Sequence, residues 1–249
     1  MSLPLLTFAV NECAEAHEEG LFFTKVAVLF ARSDSVYKTM FCDVWDVDRD
    51  ARRWPGGCPV IAHPPCRAWG QLRALANPRP DEKALALFAV EQVRKFGGVL
   101  EHPRNSTLWP TVGLPQPGKR DAWGGWTLPI SQRWWGHRAE KLTYLYIVGC
   151  EPLDIPPMPL DLGEAHFICG SPGRRRDGSR LHKGDFGWRP EISKAEREQT
   201  PPLLAAWLVK LALRISDKAG LCATQSRLIS QVAVSSTTAT KSTKPDSST

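Results

Sequence analysis

Five short apolar runs, each stopped by a proline, a glycine or a charged residue, alternate with two stretches of helical spacing, and that order allows few folds. "KVAVLF" (25–30), "CDVWDV" (42–47) and "CPVIAH" (58–63) read as strands. "DEKALALFAVEQVRKF" (81–96) puts Leu85, Phe88, Ala89, Val93 and Phe96 at helical spacing, behind Pro80 and ahead of Gly97 and Gly98. "GVLEH" (98–102) and "KLTYLYIVG" (141–149) are a fourth and a fifth strand, and "PPLLAAWLVKLALRI" (201–215) is a terminal helix opened by proline. Strand, helix, strand in this sequence predicts an α/β fold with a largely parallel sheet. In such sheets chemistry collects in the loops at the carboxyl ends of the strands.

A chain of 249 residues, 42% of them apolar, can bury the core of one domain. The expected layout is an extension over 1–24, a catalytic body over 25–219 and a Ser/Thr-rich tail over 220–249, too poor in large apolar residues to fold. No apolar stretch approaches the roughly 18 residues that cross a bilayer. The first residues carry no basic leader, so the expected location is cytoplasmic, in a bacterium or a phage-infected host cell. Seven scattered cysteines read as reduced thiols, not as a disulfide framework. The net charge of +6 includes Arg174, Arg175 and Arg176, set between Gly173 and Gly178 in a short basic region spanning 150–190. That run suits a phosphate backbone, or else is a solvated loop. Most of the ten tryptophans are expected in the core, the Trp134-Trp135 pair included.

The sharpest feature lies in "VIAHPPCRAWG" (60–70). Pro64 and Pro65 cannot extend a ladder, so they end the strand, stiffen the loop and leave Cys66 at the carboxyl edge of the sheet. A helical turn starting near Arg67 would lower the thiol pKa through its dipole, and the guanidinium would add to that. The next strand ends in Glu101, His102 and Pro103. If the two strands are parallel neighbours, Cys66 and Glu101 share one rim. A thiolate beside a carboxylic acid suits pyrimidine chemistry: addition at C6 and protonation at N3 make C5 of cytosine enamine-like and able to take an electrophilic carbon. His63, Cys66, Cys58 and His102 include zinc-ligand types but lack the repeated close spacing of a structural zinc site. His102, beside a proline, is expected to be a structural hydrogen-bond partner.

These residues carry a resemblance. "PPC" closing one strand and "E-H-P" closing the next resemble the Pro-Cys and glutamate motifs of cytosine-C5 DNA methyltransferases. "SQRWWGHRAEKLTYLYIVG" (131–149) is similar to that family's Gln-x-Arg segment, and more so to the "GH-R-A-x-K-x-T" string of compact phage-type members. "EREQTPPLLAAWLVKLA" (196–212) is similar to the closing motif, and "WDVDRDA" (45–51) to the acidic-ended second strand. The resemblance runs from about 25 to 212 and implies an abbreviated, Rossmann-like, mostly parallel sheet of the S-adenosylmethionine-dependent methyltransferase type. It implies methyl transfer from S-adenosylmethionine to C5 of a cytosine flipped out of DNA, with no membrane and no obligate protein partner. It makes Cys66 the nucleophile and Glu101 the N3 acid, and gives either Arg133 or Arg138 the role of contacting the base. Phe30, Ser33, Asp34, Ser35, Asp46, Asp48 and Pro65 would line the cofactor pocket, with Asp46 on the ribose, and Arg67, Arg174, Arg175 and Arg176 would face DNA.

The chain also departs from that pattern. "LFARSDSVYK" (29–38) has no glycine where the family's Gly-rich loop meets the cofactor. The interval from Phe30 to Asp46 leaves little room for a helix, the interval from Asp48 to Cys66 has no room for a further strand, and 150–190 is short for a target-recognition domain. Two other functions therefore stay open: C5 transfer on a nucleotide or modified base, and a non-catalytic DNA-binding relative of the same fold.

Overall fold

The computed structural model describes residues 26–217 except 41, 72, 171, 172 and 174. The expected extension over 1–24, the tail over 220–249 and Arg174 lie outside the described residues. Six strands form one mixed sheet in the order β2-β1-β3-β4-β6-β5: β1 (Ala27–Leu29), β2 (Asp43–Trp45), β3 (Val60–Ala62), β4 (Gly98–Pro103), β5 (Trp126–Ser131) and β6 (Leu142–Val148). β2, β1, β3 and β4 are mutually parallel, and β6 runs antiparallel to both β4 and β5. Only β6 is reversed. The expected α/β class and the mostly parallel sheet are what the chain adopts.

All five anticipated strands are present, together with both helices: α1 (Glu82–Phe96) and the terminal helix, which begins at 202 and continues to the end of the described residues. A sixth strand, β5, was not anticipated, because Pro129 interrupts its apolar run. β5 is an edge strand, where the missing N–H leaves no gap in the ladder to β6.

α1 forms because Leu85, Ala86, Ala89, Val90 and Val93 recur on one face, and all five are buried. It stops at Gly97, whose φ of 75° breaks the helix while its N–H still bonds the carbonyl of Val93. This face covers one side of the sheet, packing with Leu29, Ala62, Leu100 and Tyr146. The terminal helix covers the other side, with Leu204, Leu208, Leu211 and Ile215 against Val28, Ile61, Val99 and Ile147. Trp135 packs edge-on against Trp207 at 5.3 Å and tilted against Trp134 at 6.0 Å, so the Trp pair belongs to the core. Single 3₁₀ turns, Val36–Thr39 and Ala51–Arg53, replace helices between β1, β2 and β3, as the short intervals required.

Two short helices complete the chain: α2 (Leu108–Thr111) and α3 (Lys194–Glu198), before the terminal helix, now α4. Among the described residues no helix is long and apolar enough to cross a membrane. The chain leaves β1 toward β2 on one side and returns to place β3 on the other, so the strand order reverses between β1 and β3. The crevice at their carboxyl ends is where an open α/β sheet binds ligands.

Candidate active site

β3 and β4 are parallel neighbours in register Ala62 to Leu100, so the segments that follow, His63 to Cys66 and Glu101 to Pro103, emerge side by side. Side chains alternate across the sheet. Glu101 thus shares a face with Val99, and His63 with Ile61, while His102 turns to the opposite face.

A buried polar chain runs across the Glu101 face. His63 Nδ1 lies 3.1 Å from Glu101 Oε2, and His63 Nε2 lies 2.9 Å from the Tyr37 hydroxyl. The carboxylate can only accept, so Nδ1–H donates to it, and Nε2 accepts from Tyr37. On the other side Gln132 Nε2 donates to Glu101 Oε1 at 2.9 Å and to Thr143 Oγ1 at 3.1 Å. Two side chains, His63 and Gln132, therefore hold the carboxylate directly, with Tyr37 and Thr143 behind them. Burial raises the Glu101 pKa, but the His63 hydrogen bond and the positive charge of Lys141 outweigh it and bring the group down to about 2. At neutral pH Glu101 is a carboxylate. The expected proton donor to N3 must first acquire a proton.

Cys66 follows the prolines as expected, and the residue is exposed. No helix starts at Arg67. Residues 67–69 and 71 form turns, with the N–H groups of Trp69 and Gly70 donating to the Cys66 carbonyl at 3.0 and 2.8 Å. The anticipated lowering of the thiol pKa is reversed. The protein mass around the sulfur raises it, the Glu101 carboxylate raises it further, and Lys141 opposes both. Arg67 is committed elsewhere: its guanidinium forks onto Glu82, at 3.0 Å from Nε and 2.5 Å from the second nitrogen, and Glu82 is fully buried at the start of α1. It anchors the loop after Cys66 to the helix and does not activate the thiol.

His102 is buried, and neither ring nitrogen has a hydrogen-bond partner among the described residues, so the expected structural hydrogen bond is not made. Burial brings its pKa down to about 4. Both this group and Glu101 bind protons more weakly folded than unfolded, so each removes stability as the pH falls. His102 acts between its ordinary 6.5 and about 4, and Glu101 between 4.5 and about 2. Thermal melts from pH 7 down should therefore show a fall in Tm that begins near pH 6.5. The His102→Asn variant should lose its share of the upper part of that fall, keep the share of His137, whose pKa burial also lowers, and keep the lower part.

Both arginines of the 132–138 turn are engaged by other groups of the protein. Arg133 donates to the carbonyl of Gly163 at 2.6 Å and pairs with Asp161 at 3.0 Å. Arg138 forks onto Glu196 at 2.7 and 2.5 Å and covers the Phe167 ring at 4.3 Å. Both line an open pocket of about 260 Å³ with His137 and His166. In the basic loop Arg175 pairs with Asp185, while Arg176 is exposed.

The residues expected to hold S-adenosylmethionine do not fit it. Asp46 is only 6% exposed: one oxygen pairs with Lys38 at 2.6 Å and the other accepts from the N–H groups of Asp48 and Arg49. Both oxygens already have protein partners, and burial leaves little of the group open to a ribose. Asp34 is forked by Arg32 at 2.8 and 3.0 Å, and the Ser35 side chain caps the following 3₁₀ turn. Ser33 and Asp48 are exposed beside them, and Pro65 is half-buried before Cys66. Phe30 has a φ of 61°, the left-handed conformation glycine adopts without strain, and its ring meets Phe88 at 6.3 Å. Among the described residues no group of three or more His, Cys, Asp or Glu side chains converges to hold a metal ion.

Tyr37, His63, Gln132, Thr143 and Lys141 were not anticipated as partners of Glu101. Gln132, Lys141 and Thr143 stand inside the string that carried the resemblance. Tyr37 has no local signal, because it reaches Glu101 only through His63. No protein-family model, no curated protein and no solved structure matches this chain.

Proposed function

We propose that this protein is a DNA cytosine-C5-modifying enzyme that activates its base through a covalent Cys66 adduct, and that it is a compact relative of the cytosine-C5 methyltransferases it resembles. The observation that carries this reading is the pairing of an exposed thiol, on a proline-stiffened loop, with a carboxylate fixed by His63 and Gln132 at the end of the adjacent parallel strand. The mostly parallel sheet, with its order reversing beside that rim, supports the Rossmann-like expectation.

The acceptor half of the reaction balances within this chain. Cys66 is a thiol in the resting protein and Glu101 a carboxylate. With cytosine in place, the thiol proton passes to Glu101, and the sulfur forms a bond to C6. The C5–C6 π pair moves to C4–C5, and the N3–C4 pair takes the proton from Glu101 at N3. The net result is addition of S–H across the ring, with C5 left nucleophilic. His63 and Gln132 hold the carboxylate edge toward the base. After C5 has bonded to an electrophile, its own proton passes to water, the C5–C6 double bond re-forms as the sulfur leaves, and the N3 proton returns through Glu101 to the sulfur, so that the ring and the thiol are both restored. S-adenosylmethionine supplies a methyl cation equivalent in the family resembled. This chain's residues do not fit it, and no step is derived through it.

The test is independent of the donor. In D₂O the enamine takes deuterium at C5 and loses protium, so the protein alone should exchange the C5 hydrogen of cytosine in an oligodeoxynucleotide. Mass spectrometry of the digested nucleosides reads the exchange, and Cys66→Ser should abolish it. Exchange that continues at the wild-type rate in Cys66→Ser would remove the covalent mechanism. Parallel incubation with labelled S-adenosylmethionine reads whether a methyl group is transferred.

A further inference from the structure

The segment between Ile192 and α4 crosses the mouth of this site. Glu198 pairs with Arg32, in the loop after β1, at 3.1 Å, and the Gln199 carbonyl accepts from Lys141, at the start of β6, at 3.4 Å. In the sheet β1 and β6 flank β3 and β4. A chain tied to the carboxyl end of β1 and to the start of reversed β6 must pass over the carboxyl ends of β3 and β4, where Cys66 and Glu101 stand. The charge of Glu198 reaches the Cys66 thiol, which accords with that path.

The segment is fastened unevenly. Buried Ile192 anchors one end, and buried Pro201 and Leu204 the other. Between them α3 buries no residue, and its middle is held by Arg138 on Glu196, Arg32 on Glu198 and Lys141 on the Gln199 carbonyl. The two arginine side chains are 57% and 37% exposed. Exposed ion pairs of this kind contribute little and weaken with salt, so they close the strap without locking it.

We propose that residues 193–199 form a strap over the active site in which Glu196 and Glu198 occupy the places of two phosphates of a bound nucleic-acid strand, with Arg138 and Arg32 as the phosphate-binding groups. This rests on the reading of Cys66 and Glu101 as the site of base chemistry. Arg138 meets Glu196 through a fork of N–H donors that takes a phosphate as well as a carboxylate, and Arg32, whose fork stays on Asp34, gives Glu198 the one nitrogen that a phosphate would take in its place. With Glu196 and Glu198 displaced, the backbone lies across the rim and a base can descend to Cys66. The chain's net charge of +6 favours the exchange.

The experiment uses the full-length protein and a fluorescein-labelled single-stranded oligodeoxynucleotide, with anisotropy at low and moderate salt. Removing both competitors with Glu196→Gln/Glu198→Gln should tighten binding about tenfold at low salt, and Glu198→Gln alone about threefold, in line with exposed ion pairs that contribute little each. The control Glu91→Gln/Glu151→Gln makes the same change in charge on exposed residues elsewhere, and should stay within about twofold of wild type. Adding Arg32→Gln and Arg138→Gln should erase the gain. Equal tightening by the control, or none in a double variant with wild-type Tm, overturns the strap. C5 exchange in the same oligodeoxynucleotide reports on Cys66, and anisotropy reports on the strap. Absence of that exchange in every variant with the binding difference intact would sink the catalytic reading and leave the strap standing.

Discussion

Glu101→Gln should leave the protein folded and lower C5 hydrogen exchange by about a hundredfold or more, the range over which a positioned proton carrier contributes. The substitution is nearly isosteric. A glutamine carbonyl can still accept from Gln132 Nε2, and its amide can donate to His63 once that ring shifts its proton to the other nitrogen. What disappears is the group that takes the thiol proton and hands it to N3. Because Glu101 is held down to about 2, the wild-type group is an unprotonated carboxylate at neutral pH and relays the thiol proton as the sulfur bonds to C6 and N3 becomes basic, whereas an amide cannot relay it. The same variant should lose Glu101's share of the stability change between pH 4.5 and about 2, and keep that of the other paired carboxylates such as Asp46 and Glu82. Exchange at the wild-type rate in Glu101→Gln would mean that another group relays the proton and that Glu101 is a structural ion pair with His63.

Gly98→Ala should unfold much of the protein. A Cβ at Gly98 would stand 2.0 Å from the Val60 carbonyl oxygen and 2.5 Å from its nitrogen, both backbone atoms of β3 with no room to move. Its φ of 125° adds strain for any side chain. Relief requires β3 and β4 to separate at the start of their ladder, and the cost should be at least about 3 kcal/mol against a total stability of roughly 5–15 kcal/mol. Urea unfolding of the purified variant, or its failure to accumulate in soluble form, reads this directly. The register tested is the one that sets Cys66 beside Glu101. A variant within about 1 kcal/mol of wild type would therefore undo that juxtaposition along with the close approach of the strands.

The elements that could be read from the chain are those whose cause is local. Pro64 and Pro65 end β3 wherever it lies, and the periodic apolar face from Leu85 to Val93 specifies α1 without reference to the sheet. The carboxyl-edge position of Cys66 and Glu101 followed from two strands joined by one helix, which makes them parallel. β5 was hidden because Pro129 weakens a strand signal unless the strand is known to be an edge. The pKa of Cys66 was misread because the protein around the sulfur and the Glu101 carboxylate raise it. No helix starts at Arg67, and its guanidinium goes to a buried carboxylate fifteen residues away, a partner no local pattern announces. The same holds for Asp46, whose pairing with Lys38 depends on the chain folding back between β1 and β2. The polar chain around Glu101 draws on segments from Tyr37 to Thr143, so its members have no meaning until the sheet order is known.

The two rims of the sheet also bear on how the protein keeps to itself. At one rim Pro129 removes a donor from the outward side of β5, and at the other β2 is three residues long, with Asp43 tied to Arg49 and to the indole of Trp45. A second chain seeking to add a strand finds a broken row of donors at one edge and almost no row at the other. Edge-to-edge growth into aggregates is thereby discouraged on both sides, even though the interior strands, buried on both faces, are apolar enough to drive it.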